Sequence, residues 1–376
     1  MEGMAGQKSS LTWLVNLAAL LLVVMWTIPT AGLFVSSFRD RDQISATGWW
    51  KSLSATEQTG FVRTGTAADQ REEGGVFVLD GNVLGEGQEL VGWGTRSREP
   101  AAYQPGDTAD VDGAKLTVNA DGSYRMESPT AFEMTRGERI FLTTKSPGKF
   151  TLQNYSRVLN AEGIGRAFMN TLTVTIPATI IPILIAAFAA YALAWMDFPG
   201  RALLTATVVG LLVVPLQVSL IPLLRLHNEI GIGKGYLGIW LAHTGFGLPL
   251  AVYLLRNYMV GLPREVIESA RVDGATEFQI FLKIILPLSF PALASFAIFQ
   301  FLWVWNDLLV ATVFLGNTRE QLVMTGVLRE LMGSKGGEWE ILATSAFISI
   351  AVPLLVFFSM QRYLVRGLLA GSVKGG

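Results

Sequence analysis

The chain has 376 residues, 51% of them hydrophobic and only 16% charged, with a formal net charge of −1, and its apolar residues gather into long runs. That distribution separates a membrane protein from a soluble protein with a large core. The lack of cysteine excludes disulfides and thiolate metal sites, and the two histidines, His227 and His243, are too far apart in sequence to suggest a metal cluster.

In chain order, a short polar start leads into an apolar run from Leu11 to Val35, long enough to cross about 30 Å of hydrocarbon as a helix. It exceeds the core of a signal peptide and lacks a clear small-residue cleavage site, so it reads as a retained first span. From Phe38 to about Gly165 the character changes to Gly, Asp, Glu and Thr, and no window could span a membrane. Short runs at Val76–Leu79, Leu116–Val118, Tyr124–Met126 and Ile140–Leu142 are bounded by the turn signals Asp80-Gly81-Asn82, Asp112-Gly113 and Asp121-Gly122. These predict a β-rich extramembrane module with a core supplied by Trp49, Trp50, Phe77, Trp93, Tyr103, Tyr124 and Phe141; a disordered loop is the alternative. Residues 52–75 read as helical or loose.

Five more spans follow: Phe168 to Trp195, Ala202 to Leu224, Tyr236 to about Tyr258, Leu288 to Phe314, and Leu342 to about Tyr363. The fold class is therefore an all-α polytopic membrane protein of six transmembrane helices with a β-rich insertion between spans 1 and 2. Its domains are 1–37 (amino terminus and first span), 38–149 (insertion), 150–364 (remaining spans) and 365–376 (tail). The region from Gly316 to Ile341 reads as a loop.

Between the fourth and fifth spans lies a polar amphipathic stretch, Val260 to Pro287. Pro263 suits a helix start and Gly274 ends the run, which predicts a short helix, a bend and a second helix from about Thr276. Ser269, Ala270 and Ala275 would leave a flat face open to close approach, and Glu268 offers a carboxylate to a basic partner. The alternative is a loop lying on the lipid surface, which would carry a basic polar face; this stretch instead mixes acidic and basic residues.

Glu268, Ala270, Gly274, Ile284, Leu286 and Pro287 have the spacing E-x-A-x3-G-x9-I-x-L-P, which resembles the cytoplasmic coupling loop of ABC importer permeases, with Ser269 where Ala is more usual. The basic residues of short loops orient the chain with both termini in the cytoplasm. That puts the coupling stretch inside and the insertion outside.

A Gly-rich phosphate loop ending in Gly-Lys-Ser/Thr is missing from the sequence, as are a nucleophile elbow and a His-Glu-x-x-His motif. An ATP-driven role therefore needs another subunit, and the chain is read as no enzyme, with no metal site. Asp307 is the one acidic residue well inside an apolar run, in Trp303-Val304-Trp305-Asn306-Asp307. An ionisable group there is a functional-site hypothesis, and aromatic rings beside amide and carboxylate groups suit sugars. Equally, Asn306 and Asp307 could tie helices together while the tryptophans face lipid.

Further motifs resemble the smaller, six-span partner of the maltose-type carbohydrate ABC permease family: Asn170-Thr171, Tyr191-Ala192-Leu193-Ala194, His243-Thr244, the Trp-Asn-Asp run, and the tail Gly367 to Gly375. The insertion looks most like the enlarged first outer loop of some α-glucoside permeases. The resemblance implies a bacterial inner-membrane sugar importer with a second permease subunit, an ATPase dimer that carries ATP and Mg, and an extracytoplasmic sugar-binding protein. It implies coupling through Glu268, Ser269, Ala270, Asp273, Gly274, Ile284, Leu286 and Pro287, a translocation path at Trp303, Trp305, Asn306 and Asp307, and a tail (Gly371, Lys374, Gly375) reaching between the ATPases. Nucleic acid is not an expected partner. A secondary transporter and a membrane-anchored sensor with an outer β domain remain the rival classes.

Overall fold

The computed structural model describes residues 10–85, 87–161, 163–316, 318–334 and 336–372. It separates into two compact units, residues 1–154 with 337–344, and residues 155–336 with 345–376.

In the first unit, α1 (Ser10–Ser37) is apolar around its whole circumference, and residues 12–28 are exposed throughout. Such a helix needs an apolar solvent. After α2 (Arg41–Ala46), eight strands form two antiparallel sheets, of order β1-β8-β4 and β2-β3-β7-β6-β5. They are β1 (Thr56–Arg63), β2 (Arg71–Glu73), β3 (Val76–Asn82), β4 (Glu89–Gly94), β5 (Thr108–Val111), β6 (Ala114–Val118), β7 (Ser123–Ser128) and β8 (Arg139–Ser146). The β-rich expectation holds and the disordered alternative fails. Asp112 (φ 52°) and Gly113 (φ 85°) make the expected two-residue turn between β5 and β6, both central residues being left-handed as a type I′ hairpin requires.

Three details differ from expectation. Asp80-Gly81-Asn82 is not a turn but the end of β3, where Gly81 pairs with Tyr124 and a Cβ on it would lie 2.4 Å from the tyrosine ring. The missing side chain makes room for the ring. Residues 56–63 form a strand, its polar sequence explained by its position at the edge of its sheet. The core is built from Leu79, Trp93, Leu116, Val118, Tyr124, Met126, Ile140 and Leu142, with Tyr103 packed against it, whereas Trp50 is exposed.

The join between module and first span is a network of polar contacts. Asn154 Nδ2 donates to the carbonyls of Ser37 (3.0 Å) and Arg39 (2.9 Å), and Thr344 Oγ1 donates to the Ser37 carbonyl. Buried Arg39 donates to the carbonyls of Gln43 and Thr47. The Asn154 and Thr344 bonds satisfy the Ser37 carbonyl left open at the end of α1, while Arg39 bonds to carbonyls of α2 and its C-cap.

The second unit is helical. It holds most of α3 (Gln153–Ala161), then α4 (Ile164–Trp195), α5 (Arg201–Leu211), α6 (Leu216–Glu229), α7 (Tyr236–Val260), α8 (Arg264–Val272) and α9 (Glu277–Ile280). A π-helical turn (Phe281–Ile285) leads to α10 (Leu286–Leu288), α11 (Phe290–Trp305), α12 (Leu309–Phe314), α13 (Met324–Ser334) and α14 (Trp339–Ser372), whose first residues lie in the other unit. Among the described residues four helices, in α1, α4, α7 and α14, are long and apolar enough to cross a membrane alone, and two bent pairs bring the number to six if each is one span.

The expected span from Ala202 to Leu224 is one of those pairs: α5 and α6 meet at 109°. Pro215 explains the break, since it lacks an N–H and disfavours the helical conformation at Val214. The expected span from Leu288 to Phe314 is broken after Trp305, and the helix before it meets α11 at 70°. Residues 316–341, read as a loop, contain α13, whose buried Met324, Val327 and Leu331 recur at helical spacing. Asn170 Nδ2 donates to the carbonyls of Glu320 and Leu322, and Thr171 Oγ1 accepts from the Met324 amide, so α4 pins the start of α13.

Candidate functional site

The helix, bend and helix predicted between the fourth and fifth spans are present. Gly274 has φ +80°, a left-handed conformation that ends α8. Thr276 then starts α9 with a capping box, its hydroxyl accepting from Gln279 N and the Gln279 side chain accepting from Thr276 N.

One face of α8 is pinned inward. Ile267 is buried in a cluster with Met259, Ile280, Phe281 and Ile285, against which Ala270, Ala275 and Leu286 also pack. The expected flat face of small residues is thus partly reassigned: Ala270 and Ala275 fit the helix to its own unit, and Ser269 alone stays on the outside. The exposed face carries Val266, Glu268, Ser269, Val272 and Asp273, continued by Phe278; Val272 is 87% and Phe278 61% exposed. Glu268 accepts from Arg264 Nε at 2.8 Å, both side chains being more than half exposed. Ile284 is half-buried in the π-helical turn, and Pro287 is exposed.

Behind this face a polar network joins the loop to the end of α4. The Tyr191 hydroxyl donates to Glu277 Oε2, Arg271 Nε donates to Glu277 Oε1 at 3.0 Å, and Arg271 Nη2 donates to the Trp195 carbonyl at 3.2 Å. Trp195 Nε1 in turn donates to the Met259 carbonyl, at the end of α7. Spacing alone gives no sign of this network, because it joins Tyr191 and Trp195 of α4 to Met259, Arg271 and Glu277 more than 60 residues further along the chain.

The run from Trp303 to Asp307 divides by geometry. Trp303 meets the buried His243 ring edge-on (5.2 Å), and His243 Nε2 lies 3.8 Å from Asp307 Oδ2, beyond hydrogen-bond range. Asp307 Oδ1 and Oδ2 accept from the amides of Val310 (3.3 Å) and Ala311 (2.9 Å), so the carboxylate caps α12 at the break in the span. Trp305 lies elsewhere: it is 1% exposed, stacked on Phe301, edge-on to Phe168, and donates from Nε1 to the Ser349 carbonyl. Asn306 is exposed and donates to the Leu302 carbonyl. Neither ring nitrogen of His243, nor the buried hydroxyls of Thr175, Thr179 and Thr244, meets a hydrogen-bond partner among the described residues. Of the tail, Gly371 falls in the last turn of α14, while Lys374 and Gly375 lie outside the described residues.

Comparison with known proteins adds three findings. The family described as binding-protein-dependent transport system inner membrane component matches residues 166–369. The chain is 64% identical to the alpha-glucoside transport system permease protein AglG of Rhizobium meliloti, over 98% of this chain and 99% of that one. It is 44% identical to the osmoprotective compounds uptake permease protein GgtD of Synechocystis sp., over 96% of this chain and 91% of that one. The family match begins beyond the β-rich module, but the two relatives span most of the module as well.

Proposed function

Because the chain belongs to the family of binding-protein-dependent transport system inner membrane components, we propose that it is the permease subunit of an ATP-driven importer of α-glucosides or related oligosaccharides. It is a multi-pass protein of the inner membrane, with six spans if each bent pair crosses once. Loop charge favours both termini in the cytoplasm, with the β-rich module outside.

The observation that carries the mechanism is the two-sided build of α8. Its inner side is fixed by Ile267 and the Arg271–Glu277–Tyr191 network, while its outer side presents Glu268 beside exposed Val266, Val272 and Phe278. Such a face suits a cleft that offers a cation and apolar contacts. We assign that cleft to an ATPase subunit, two copies of which hold ATP and Mg. When the ATPases close, α8 moves with them, and the network carries the displacement to the ends of α4 and α7. Differential contact between two states is what coupling requires.

The path for the sugar is proposed beside Trp303 and Asp307, where His243 of α7 meets the Trp303 ring edge-on and brings an unpartnered Nε2 to 3.8 Å from Asp307 Oδ2. A ring that can stack on sugar C–H faces and groups that can meet hydroxyls are the chemistry a glucoside needs. Trp305 supports the path through packing. A second permease subunit completes it, and an extracytoplasmic binding protein delivers the sugar. The test is co-purification of an ATPase with this chain, together with uptake of labelled maltose, trehalose, sucrose and glucosylglycerol in a deletion strain. Loss of ATP-dependent uptake of at least one α-glucoside is expected, and unchanged uptake of all four rejects the reading.

A further inference from the structure

The exposed apolar side chains at the base of the β-rich module form one patch. Trp50 is 71% exposed, Leu53 86%, Phe150 49% and Leu152 69%. The patch is built rather than frayed. The Ser52 amide donates to the Trp49 carbonyl and the Thr151 amide to the Phe38 carbonyl, and Arg39 bridges Phe150. Gly148 lies so close to Ser52 that a Cβ on it would stand 2.2 Å from the Ser52 carbonyl oxygen, which joins the two segments.

Trp49 fixes the level of this patch along the first span. Its indole lies on Gly32 of α1, where an added Cβ would be 2.7 Å from Nε1. Gly32 precedes the helix end at Ser37 by about 7.5 Å of helical rise. The residues beside Trp49 therefore stand at the rim of a helix whose own exposed surface is apolar, including Trp26 (77%), Ile28 and Phe34. Exposed Lys51 and Lys149 flank the patch. Indole rings, aliphatic tips and lysines at the end of an apolar span are the composition of a membrane interface, where rings sit at headgroup level and ammonium groups meet phosphates.

We propose that Trp50, Leu53, Phe150 and Leu152 form a foot that inserts into the lipid headgroup boundary at the carboxyl-terminal end of the first span, seating the β-rich module on the bilayer. The occupant is lipid, because the patch continues the lipid-facing surface of α1 and carries cations at its edge. This rests on α1 being a span, which the experiment checks separately.

The sequence has no cysteine, so single cysteines can be placed at will. Leu53→Cys, Trp50→Cys, Leu21→Cys in mid-α1 and Glu72→Cys on an exposed strand would each carry a polarity-sensitive fluorophore. The full assembled complex is placed in phosphatidylethanolamine/phosphatidylglycerol nanodiscs doped with nitroxide lipids, after accessible thiols on partner subunits are removed. Shallow nitroxides should quench the probes at 53 and 50 at least about threefold more than the probe at 72, while deep nitroxides quench the probe at 21. If position 21 is quenched and positions 50 and 53 match position 72, the foot is overturned while the span stands. If position 21 is not quenched, the span reading itself fails. Blue-shifted emission at 50 and 53 without lipid quenching would mean a protein partner covers the patch, and would also overturn the proposal.

Discussion

The Tyr191 hydroxyl donates to the Glu277 carboxylate that also holds Arg271, so a residue near the end of α4 is tied to both helices of the loop that follows α7. Phe281 reinforces the tie, its ring lying 5.4 Å from Tyr191 and 4.5 Å from Phe188. A push on α8 therefore reaches α4 through a charge-assisted contact and an aromatic one.

Removing the donor isolates the polar half of that tie. Tyr191→Phe keeps the ring packing but leaves Glu277 with Arg271 alone. A hydrogen bond to a charged group contributes about 1.5–3 kcal/mol, so sugar uptake should fall on the order of tenfold while ATP hydrolysis by the complex persists. ATPase and uptake falling in parallel would point to misfolding instead, and unchanged uptake would remove the network from the coupling path.

Glu268→Lys tests the outer face. The Arg264–Glu268 pair is exposed, and pairs of that kind contribute only a few tenths of a kcal/mol, so folding and membrane insertion should survive. Repulsion between the new lysine and a basic group in the ATPase cleft should strip the ATPase during purification and abolish uptake. Normal uptake by this variant sinks the assignment of Glu268.

How much of this was legible in the sequence depends on where each signal resides. The bend at Gly274 and the helix start near Thr276 are local backbone chemistry, and both were readable from residue type. The inward turn of Ala270 and Ala275 was not, because small residues serve a partner or a home core equally well and only packing decides between them. Asp80-Gly81-Asn82 misled for a related reason: the glycine answers to Tyr124 across the sheet. The α13 pattern was present in Met324, Val327 and Leu331, but its glycines and flanking charges masked it.

Asp307 separates two roles by a single atom. Asp307→Asn keeps one side-chain oxygen for the amides of Val310 and Ala311, whereas Asp307→Ala removes the cap at a cost of about 0.5–2 kcal/mol. The Asn variant, which keeps one acceptor for the shorter Ala311 bond, should melt closer to the wild type than the Ala variant does yet raise the half-saturating sugar concentration, and the Ala variant should lower both stability and uptake. Wild-type transport by the Asn variant would confine Asp307 to capping.

Acid should loosen the β-rich module. The Thr66 backbone amide and then its hydroxyl hold Asp69 below the usual carboxylate range, the Ser123 hydroxyl and amide do the same for Asp121, and Arg125 does so for Glu73. A carboxyl whose folded-state value is depressed adds stability above its unfolded value and loses it as pH falls through the folded one. The module's unfolding temperature, followed by the fluorescence of the complex, should therefore drop as pH is lowered through the carboxylate range and be flat near neutrality. A steady value through that range would contradict these contacts.

The module can be removed without disturbing its base, because its first and last strands meet. Thr56 and Ser146 are cross-strand partners in β1 and β8, and antiparallel partners stand about 5 Å apart, so a Gly-Ser linker in place of residues 56–146 bridges the gap while Trp50, Leu53 and Phe150 stay in position. The linker also retains Gln43, whose side chain donates to the Pro147 carbonyl and accepts from the Lys149 amide. If the module guides docking of the binding protein, this variant should assemble with its ATPase and transport sugar but need a several-fold higher concentration of binding protein for half-maximal uptake. Assembly with unchanged half-saturation would reduce the module to a spacer, and failure to assemble would show that it holds the permease subunits together.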